Sequence, residues 1–371
     1  MKKKILPTLF TFYYHLLNSQ IVPSLCFTSF LFGDSLVDTG NNNYLFTLSK
    51  ADSPPYGIDF APSGGHPTGR FTNGHTIGDL IGEALGAKSF PPPYLSPNAA
   101  AYAFDVGVNY ASGGSGILNG TGTLFIERLP LSEQISNFEM TRNYMVSSAG
   151  ENRTKDVLKN TVFSITIGSN DVINYFQQPF AFLNGNVSMA TFQDFMVSNL
   201  TEQLKRLHGL GARKIVVVGI GPLGCIPFIR AISLVPSREC AATVNAFVSS
   251  YNQRLKVEIN QLNVDAGADA IFVYVNSYDI FLEIIDNYGD YGFGNNDGPC
   301  CGGYVPPFFC YDGNGNNATA AACPNRSAYV FWDAYHPTDA ANRIVADRLL
   351  DGDENDCSPV NIRQLYYHEF T

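Results

Sequence analysis

The sequence predicts an α/β protein in which helices cover both faces of a parallel sheet. Segments with helical periodicity separate apolar runs along the chain, and this alternation is typical of parallel sheets. Five apolar, β-branched or aromatic runs have the composition of buried strands: Phe27–Phe32, Phe104–Tyr110, Val162–Ile167, Lys214–Ile220 and Asp269–Val275. In such sheets ligands bind beyond the carboxyl ends of the strands, so the residues that follow each run are the first candidates for a functional site.

The predicted helices place apolar residues at the i, i+3, i+4 spacing of a single helix face. They are Thr76–Leu85, Leu131–Met145, Phe192–His208, Thr243–Val264 and Thr338–Leu350. The segment Gly289–Asn325 differs, because it is rich in Gly, Asn, Pro and Cys and has no clear period. We predict a long loop there.

The composition favours a globular protein and argues against a nucleic-acid partner. Hydrophobic residues make up 45% of the 371 residues and charged residues 15%, which is ordinary for a folded domain. The chain has 23 Lys and Arg against 33 Asp and Glu, a formal net charge of −10. No basic patch is therefore available to neutralise phosphates.

Residues 1–26 have the layout of a secretory signal peptide. Lys2, Lys3 and Lys4 precede the apolar stretch Ile5–Leu17, and small residues follow near Ser24. The apolar stretch is too short for a membrane span, and the rest of the sequence has no run of membrane length. We therefore predict cleavage near residue 26 and a secreted, extracellular protein that is a single domain over residues 27–371, without a transmembrane segment.

The cysteines and the glycosylation motifs agree with export. Four of the eight cysteines fall within residues 300–323, and in an oxidising compartment they would form disulfides that hold the long loop. Their pairing cannot be deduced from the sequence. Six N-x-S/T motifs are candidate glycosylation sites: Asn119, Asn152, Asn186, Asn199, Asn317 and Asn325.

Chemically suggestive residues follow three predicted strands and recur near the C-terminus. Ser35, Gly113 and Asn170 follow the first, second and third strands, and Asp333 and His336 lie three residues apart. A serine nucleophile needs a base such as histidine, and the base needs an orienting carboxylate. The N–H groups of Ser35 and Gly113 and the side-chain amide of Asn170 would stabilise the oxyanion. This chemistry requires no metal and no organic cofactor.

Each of these residues also has an ordinary structural interpretation. Ser35 or Asp333 would suit a helix N-cap, Asn170 a turn and Gly113 a left-handed hinge. Their occurrence together, in this order and at strand ends, would then need four coincidences. An acyl-transfer site accounts for all of them at once.

Six sequence blocks carry a family resemblance. They are Phe32–Asn42 (FGDSLVDTGNN), Pro67–Gly74 (PTGRFTNG), Asn109–Ile117 (NYASGGSGI), Ile167–Asp171 (IGSND), Gly221–Pro227 (GPLGCIP) and Phe331–Thr338 (FWDAYHPT). With these blocks the chain resembles the plant-type GDSL esterase/lipases of the SGNH hydrolase superfamily. The resemblance covers nearly the whole predicted mature chain. The G-x-S-x-G elbow of α/β-hydrolases is absent around Ser35.

The resemblance implies a three-layer α/β/α, flavodoxin-like fold with a five-stranded parallel sheet. It also implies Ser35 as nucleophile, His336 as base, Asp333 as its partner, and Ser35, Gly113 and Asn170 as the oxyanion hole. The expected reaction is hydrolysis of carboxylic esters, and the substrate would be a lipid, a polyester or an acylated small molecule.

Three other functions remain open at the level of sequence. The acyl-enzyme could pass its acyl group to an alcohol acceptor, which would make the protein an acyltransferase. The scaffold could serve as a non-catalytic wall or glycan-binding protein. A glycosidase could use a pair of carboxylates among Asp34, Asp171 and Asp333, although it would leave Ser35 and His336 without roles.

Overall fold

A computed structural model describes residues 27–177, 187–236, 239–304, 310 and 322–370. The predicted signal peptide and the candidate glycosylation sites Asn186 and Asn317 lie outside these residues. The strands of the described part are β1 Ser29–Gly33, β2 Gly107–Asn109, β3 Val162–Thr166, β4 Lys214–Val218, β5 Ile271–Val275, β6 Asn295–Pro299, β7 Tyr329–Phe331 and β8 Cys357–Ser358.

The central sheet has the order β2-β1-β3-β4-β5-β8. Its first five strands are parallel, and their order is that of flavodoxin-like sheets. The predicted five-stranded parallel sheet is thus confirmed, and each predicted strand lies where the sequence placed it. The sixth strand, β8, pairs antiparallel with β5 at the sheet edge. It was not predicted, because two residues are too few to show a period.

The helices include all five that the periodicity predicts, with ends shifted by a few residues. In chain order they are α1 Ile77–Ala84, α2 Leu131–Ala149, α3 Glu151–Asn160, α4 Ser169–Gln177, α5 Met189–Gly209, α6 Pro227–Ile232, α7 Ala242–Ala266, α8 Ser277–Asp286, α9 Asp339–Asp351 and α10 Ile362–Tyr367. Thr76 begins α1 with a capping box, in which its side chain and that of Asp79 each accept a backbone N–H. The prediction missed α3, α4, α6, α8 and α10, which are all short.

The core of the sheet is aromatic at its centre. Phe30 and Phe32 of β1 pack with Phe163 of β3 and with Phe138 of α2, and all four side chains are fully buried. Burial of each such ring contributes roughly 1.5–3 kcal/mol. This packing fixes the position of β1, and with it the turn that follows at the carboxyl end of the strand.

A small second sheet carries the C-terminal part of the site. Strands β6 and β7 pair in parallel, and disulfides Cys300–Cys323 and Cys301–Cys310 lie against the buried indole of Trp332. The predicted loop disulfides therefore form, and they hold the residue that immediately precedes Asp333.

The remaining described cysteines lie elsewhere. A third disulfide joins Cys225 to Cys240, and Cys357 on β8 is an unpaired, buried thiol among the described cysteines. Burial raises the pKa of the Cys357 thiol to about 12. This thiol is therefore a structural group and not a nucleophile.

Of the four candidate glycosylation sites in the described part, Asn119, Asn152 and Asn325 are exposed. Asn199 is half-buried on α5, where its side chain donates to the carbonyl of Phe195. In the described part of the chain, none of the helices combines the length and apolarity needed to cross a bilayer.

Candidate active site

A cavity of about 850 Å³ opens at the carboxyl ends of the parallel strands. Its wall includes Ser35 after β1, Asn170 at the start of α4, and Asp333 and His336 after β7. This is the edge of the sheet at which ligands bind in open α/β folds. Residues that are some 300 positions apart in sequence therefore share one surface.

Ser35, His336 and Asp333 form a continuous hydrogen-bonded chain. His336 Nε2 lies 2.7 Å from Ser35 Oγ, and His336 Nδ1 lies 2.8 Å from both carboxylate oxygens of Asp333. Asp333 Oδ1 also accepts the backbone N–H groups of Tyr335 and His336, each at 2.8 Å. The carboxylate is thus fixed by its own turn before it orients the imidazole.

The electrostatics of the pair agree with this geometry. Burial of Asp333 opposes its ionisation, but the charge of His336 and the hydrogen bonds that the carboxylate accepts outweigh burial. The pKa of Asp333 therefore lies below its usual value. An ionised Asp333 accepts the proton on Nδ1, which leaves Nε2 to accept a hydrogen bond from the Ser35 hydroxyl.

A tyrosine that sequence reasoning missed extends this chain. The hydroxyl of Tyr56 donates to Asp333 Oδ2 at 2.8 Å, and its ring packs against Phe71 and Trp332. Burial and the negative charge of Asp333 raise the pKa of Tyr56 well above its usual value, so the hydroxyl remains a donor. No sequence pattern indicated this contact, because Tyr56 and Asp333 are 277 residues apart.

Ser35 lies in a tight turn and not at a helix N-terminus. The turn spans Asp34 to Val37, and the next α-helix of the chain is α1. A Cβ at Gly33, just before the turn, would clash with the carbonyl oxygen of Thr166 on β3. Only glycine therefore lets β1 approach its neighbour closely enough to place Ser35 at the edge of the cavity.

The hydrogen-bond donors beside Ser35 differ from the predicted set at one position. The N–H of Gly113 donates to Asp38 Oδ2 at 3.0 Å in a buried network. Its neighbour Gly114 lines the cavity, and within the described residues the N–H groups of Gly114 and Ser35 have no acceptor. The amide of Asn170 donates to the carbonyl of Ser115 at 2.9 Å and keeps a second N–H for the cavity.

The backbone conformation and the surroundings of position 114 require a glycine. Its φ is +81°, and a Cβ there would collide with the ring of Phe125. The sequence signal was present in the block NYASGGSGI, where Gly114 directly follows Gly113. Residue type alone could not decide which of the two N–H groups is bonded to Asp38.

Buried polar side chains connect the turns behind the cavity. Asp38 accepts the N–H groups of Gly40 and Asn41 in addition to that of Gly113. Gln134 of α2 is fully buried, accepts the N–H of Gly33 at 2.8 Å and donates back to its carbonyl at 2.8 Å. These bonds fix the backbone on both sides of the turn that carries Ser35.

The other acidic residues near the cavity have different surroundings. Asp171 is fully buried and accepts the N–H groups of Ile117 and Leu118 and the hydroxyl of Thr121. Asp34 accepts the N–H of Leu36 through Oδ1, while its buried Oδ2 has no partner within the described residues. Burial raises the pKa of Asp34 to about 7.

This arrangement disfavours a glycosidase with two carboxylates. Asp171 is hydrogen-bonded to the loop that it holds, and Asp333 is hydrogen-bonded to His336 and Tyr56.

No group of three or more His, Cys, Asp or Glu side chains in the described part of the chain is arranged to hold a metal ion.

The rest of the cavity wall is mainly apolar. Leu48, Leu124 and Phe125 lie at an exposed end, and α8 and α9 contribute side chains from the core: Phe281, Ile285, Val345 and Leu349. Exposed residues, Ser35 and side chains of the hydrophobic core therefore line the same cavity.

The chain is similar to known proteins over most of its length. The family model described as GDSL-like Lipase/Acylhydrolase matches residues 30–349. Three Arabidopsis thaliana proteins, each named GDSL esterase/lipase, are similar over most of their length. One is 59% identical and covers 91% of this chain and 93% of its own; a second is 44% identical and covers 98% and 99%. The third is 48% identical and covers 91% and 90%.

Among solved structures, a catalytic mutant of an acetylxylan esterase from Geobacillus stearothermophilus is 13% identical, with a TM-score of 0.36 and coverage of 87% of this chain and 94% of that chain. The family match spans most of the chain, and the plant relatives align almost from end to end. The chain therefore belongs to the GDSL-like lipase/acylhydrolase family and is a carboxylic ester hydrolase.

Proposed function

We propose that this protein is a secreted serine esterase that works through an acyl-enzyme. The observation that carries the proposal is the continuous chain Ser35–His336–Asp333, with Oγ to Nε2 at 2.7 Å and Nδ1 to the carboxylate at 2.8 Å. Nucleophile, base and orienting acid are within hydrogen-bonding reach of one another. All three side chains line a cavity large enough for an acyl group.

In the first half of the reaction Ser35 is acylated. Its Oγ attacks the ester carbonyl while His336 Nε2 takes the hydroxyl proton, and the carbonyl oxygen gains the negative charge. The ester C–O bond then breaks, and His336 returns the proton to the leaving alcohol. The acyl group remains bound to Ser35 Oγ.

In the second half water releases the acid. His336 takes a proton from water as the water oxygen attacks the acyl carbonyl, and it then protonates Ser35 Oγ as the acyl–serine bond breaks. Asp333 stays ionised throughout and stabilises the imidazolium that forms twice per turnover. The positive charge is thus generated beside a carboxylate that is already fixed.

For the oxyanion we propose the N–H groups of Ser35 and Gly114 and the amide of Asn170. Gly114 takes the place of Gly113, because the Gly113 N–H is bonded to Asp38 at 3.0 Å. The Gly114 N–H has no acceptor within the described residues, and Gly114 lines the cavity. Donors fixed before the reaction stabilise developing charge without reorganisation.

Tyr56 acts as a positioning residue in this scheme. Its hydroxyl holds Asp333 Oδ2, so both oxygens of the carboxylate are fixed while His336 contacts them. A buried carboxylate with fixed donors keeps the imidazole in one orientation and one tautomer.

Export is supported by two independent features. Residues 1–26 have the layout of a signal peptide, and six cysteines form three disulfides. Disulfides persist in oxidising compartments and are rare in the cytosol. The exposed motifs at Asn119, Asn152 and Asn325 would carry glycans there. Mass spectrometry of the protein secreted from plant cells would identify the mature N-terminus and the occupied sites.

Transfer of the acyl group to an alcohol is the second candidate. The apolar wall of the cavity favours it, because a pocket that excludes water slows hydrolysis of the acyl-enzyme relative to alcoholysis. Product analysis with and without an added alcohol separates the two, since a transferase yields a new ester in place of the free acid.

The test is hydrolysis of p-nitrophenyl esters, from acetate to long chains, by the wild-type protein and by Ser35→Ala. We expect kcat to fall by at least about 10⁴ in Ser35→Ala, because the nucleophile is lost. Ser53→Ala is the matched control, since Ser53 is an exposed serine in the same cavity wall. Equal rates for the wild-type protein and Ser35→Ala would disprove the mechanism.

A further inference from the structure

Five large apolar side chains are exposed beside the entrance of the cavity. They are Tyr44, Phe46, Leu48, Leu124 and Ile126, with 54%, 75%, 70%, 80% and 49% of their surface accessible. We refer to these five residues as the apolar rim. Single exposed apolar residues are common, but such residues concentrated on two adjoining segments are typical of an interaction site.

The two segments of the apolar rim are tied together. Thr47 and Ile126 form an antiparallel bridge, and the N–H of Leu48 donates to the carbonyl of Phe125 at 3.1 Å. The N–H of Phe46 donates to the carboxylate of Glu127 at 2.6 Å. The side chains are therefore exposed on a hydrogen-bonded platform, and their exposure is not the result of a loose loop.

The backbone at one rim residue is strained. Ile126 has a φ of +79°, a region that β-branched residues rarely adopt. Such strain persists only where surrounding contacts hold it, and it concentrates at functional sites. Here the contacts are the bridge to Thr47 and the bond from Leu48 N to Phe125 O.

The apolar rim continues into the reaction cavity. Leu48 and Leu124 belong to both, and the intervening Phe125 also lines the cavity. Other parts of the cavity wall consist of core residues such as Val345 and Leu349, which are almost fully buried from solvent. Rim residues, Ser35 and core residues thus line the same cavity.

The distribution of charge restricts which partners can bind to the apolar rim. The rim segments 44–48 and 123–126 contain no Asp, Glu, Lys or Arg, and the whole chain has a net charge of −10. The nearby Lys50 and Asp52 pair with each other at 3.6 Å. An anionic bilayer would be repelled by the overall charge and would find no cationic patch at the rim.

We propose that the apolar rim docks this protein on the surface of an aggregated, uncharged acyl ester, such as a neutral-lipid droplet. The inference rests on the proposed esterase function and adds the physical state of the substrate. A rim seated in the ester phase lets an acyl chain enter the cavity along apolar side chains, so that the chain never crosses water. The protein then draws its substrate from the interface and not only from solution.

The test separates docking from catalysis. Flotation with a trioctanoin emulsion measures binding of Ser35→Ala, which cannot consume the emulsion, with and without Phe46→Ser. Phe46 does not line the cavity, so hydrolysis of dissolved p-nitrophenyl acetate by the single variant Phe46→Ser should be unchanged. We expect Phe46→Ser to weaken binding to the emulsion about tenfold, because burial of one such ring is lost.

Val264→Ser is the matched control. Val264 is 74% exposed on α7 and does not line the cavity. We expect it to leave binding unchanged, and we expect Phe46→Leu to restore most of the binding that Phe46→Ser loses. Vesicles of anionic phospholipid should bind Ser35→Ala more weakly than the emulsion does.

Four outcomes would overturn the inference. These are equal binding of the emulsion by Ser35→Ala alone and by Ser35→Ala combined with Phe46→Ser or with Val264→Ser; no binding by Ser35→Ala; preferential binding to anionic vesicles; and a wild-type dimer that Phe46→Ser converts to a monomer. The last would make the apolar rim an interface between two copies. Failure of the proposed function looks different, because ester hydrolysis would then survive Ser35→Ala whatever the flotation result.

Discussion

The two walls of the reaction cavity are built in opposite ways. On the polar side, Asp333 lines the cavity and Asp38 and Gln134 lie behind it, and each of these side chains makes two or more hydrogen bonds at 2.7–3.0 Å. On the apolar wall, residues such as Leu124 and Val345 contribute only hydrocarbon surface. Hydrogen bonds depend on direction and distance, whereas apolar contact scales with area.

This difference separates chemistry from substrate choice. If one polar atom is displaced, a hydrogen bond in the chain Ser35–His336–Asp333 is lost. Substitutions of the polar side chains should therefore change kcat by large factors. The apolar wall tolerates changes of shape, so substitutions there should change which ester is preferred while the chemistry continues. The predictions below test that separation, from the largest expected effect to the smallest.

The sharpest test of the polar wall is Asp333→Asn. The amide keeps the size of the carboxylate but cannot hold His336 in the orientation that leaves Nε2 as the acceptor. We expect kcat to fall about 10⁴-fold. Asp52→Asn is the control, because Asp52 lines the same cavity and does not contact His336. A loss of less than tenfold would show that the carboxylate is not part of the machinery.

The oxyanion donors should matter less than the reacting chain. For Asn170→Ala we expect kcat to fall about 10²–10³-fold, or about 3 kcal/mol of transition-state stabilisation, with little change in KM. The neighbouring variant Ser169→Ala, in the same wall, should keep wild-type kcat. Unchanged kcat in Asn170→Ala would remove this amide from the proposed oxyanion hole.

Tyr56→Phe removes one hydroxyl and keeps the ring against Phe71 and Trp332. Asp333 then loses a donor, and its charge acts more strongly on His336. We expect kcat to fall about tenfold. The acid limb of the kcat/KM profile should move to higher pH, because a carboxylate at Asp333 that has lost a hydrogen-bond donor attracts the positive charge of the imidazolium more strongly. A loss of activity with an unshifted profile would indicate a merely structural role for Tyr56.

The apolar wall is tested by Val345→Phe, which adds a ring to the interior part of the cavity. We expect kcat/KM for p-nitrophenyl palmitate to fall about tenfold, because the acyl chain loses room. The value for p-nitrophenyl acetate should not change. Val257→Phe, on the exposed side of α7, is the control. An equal loss for both esters would contradict the separation of chemistry from substrate choice.

The last effect concerns stability and not the rate of the reaction. Burial raises the pKa of Asp34 to about 7 and the pKa values of Asp38 and Asp171 to about 6. An acid whose pKa is raised on folding stabilises the protein fully below its unfolded value, and this contribution is lost as the pH rises through the folded value. Acids with lowered pKa values, such as Asp333, act in the opposite direction and below about pH 4.

The free energy of unfolding should therefore decrease as the pH rises from about 4 to about 7. Asp34→Asn removes one of the three contributing acids, and we expect it to reduce that decrease by roughly 3 kcal/mol. Urea unfolding across this range measures the change. Asp290→Asn, at an exposed acid, should leave the slope as it is in the wild-type protein. An identical slope in Asp34→Asn would show that Asp34 does not titrate there.

The sequence alone determined the parallel sheet and, through its motifs, the family. The five parallel strands follow from apolar runs such as Lys214–Ile220, because strand burial depends on local composition. The five predicted helices follow from apolar spacing. Short elements such as α6 and β8 were missed, since six residues or fewer carry almost no periodic signal.

Only the tertiary structure decided which groups meet. The contact between Tyr56 and Asp333, the pairing of the cysteines, the exposure of the apolar rim, and the use of Gly113 N–H by Asp38 all depend on how distant turns pack together. Periodicity reports the neighbours of a residue along one helix or strand. It does not report the direction of an N–H or a hydroxyl after hundreds of intervening residues have folded, and that direction determines the proposed site.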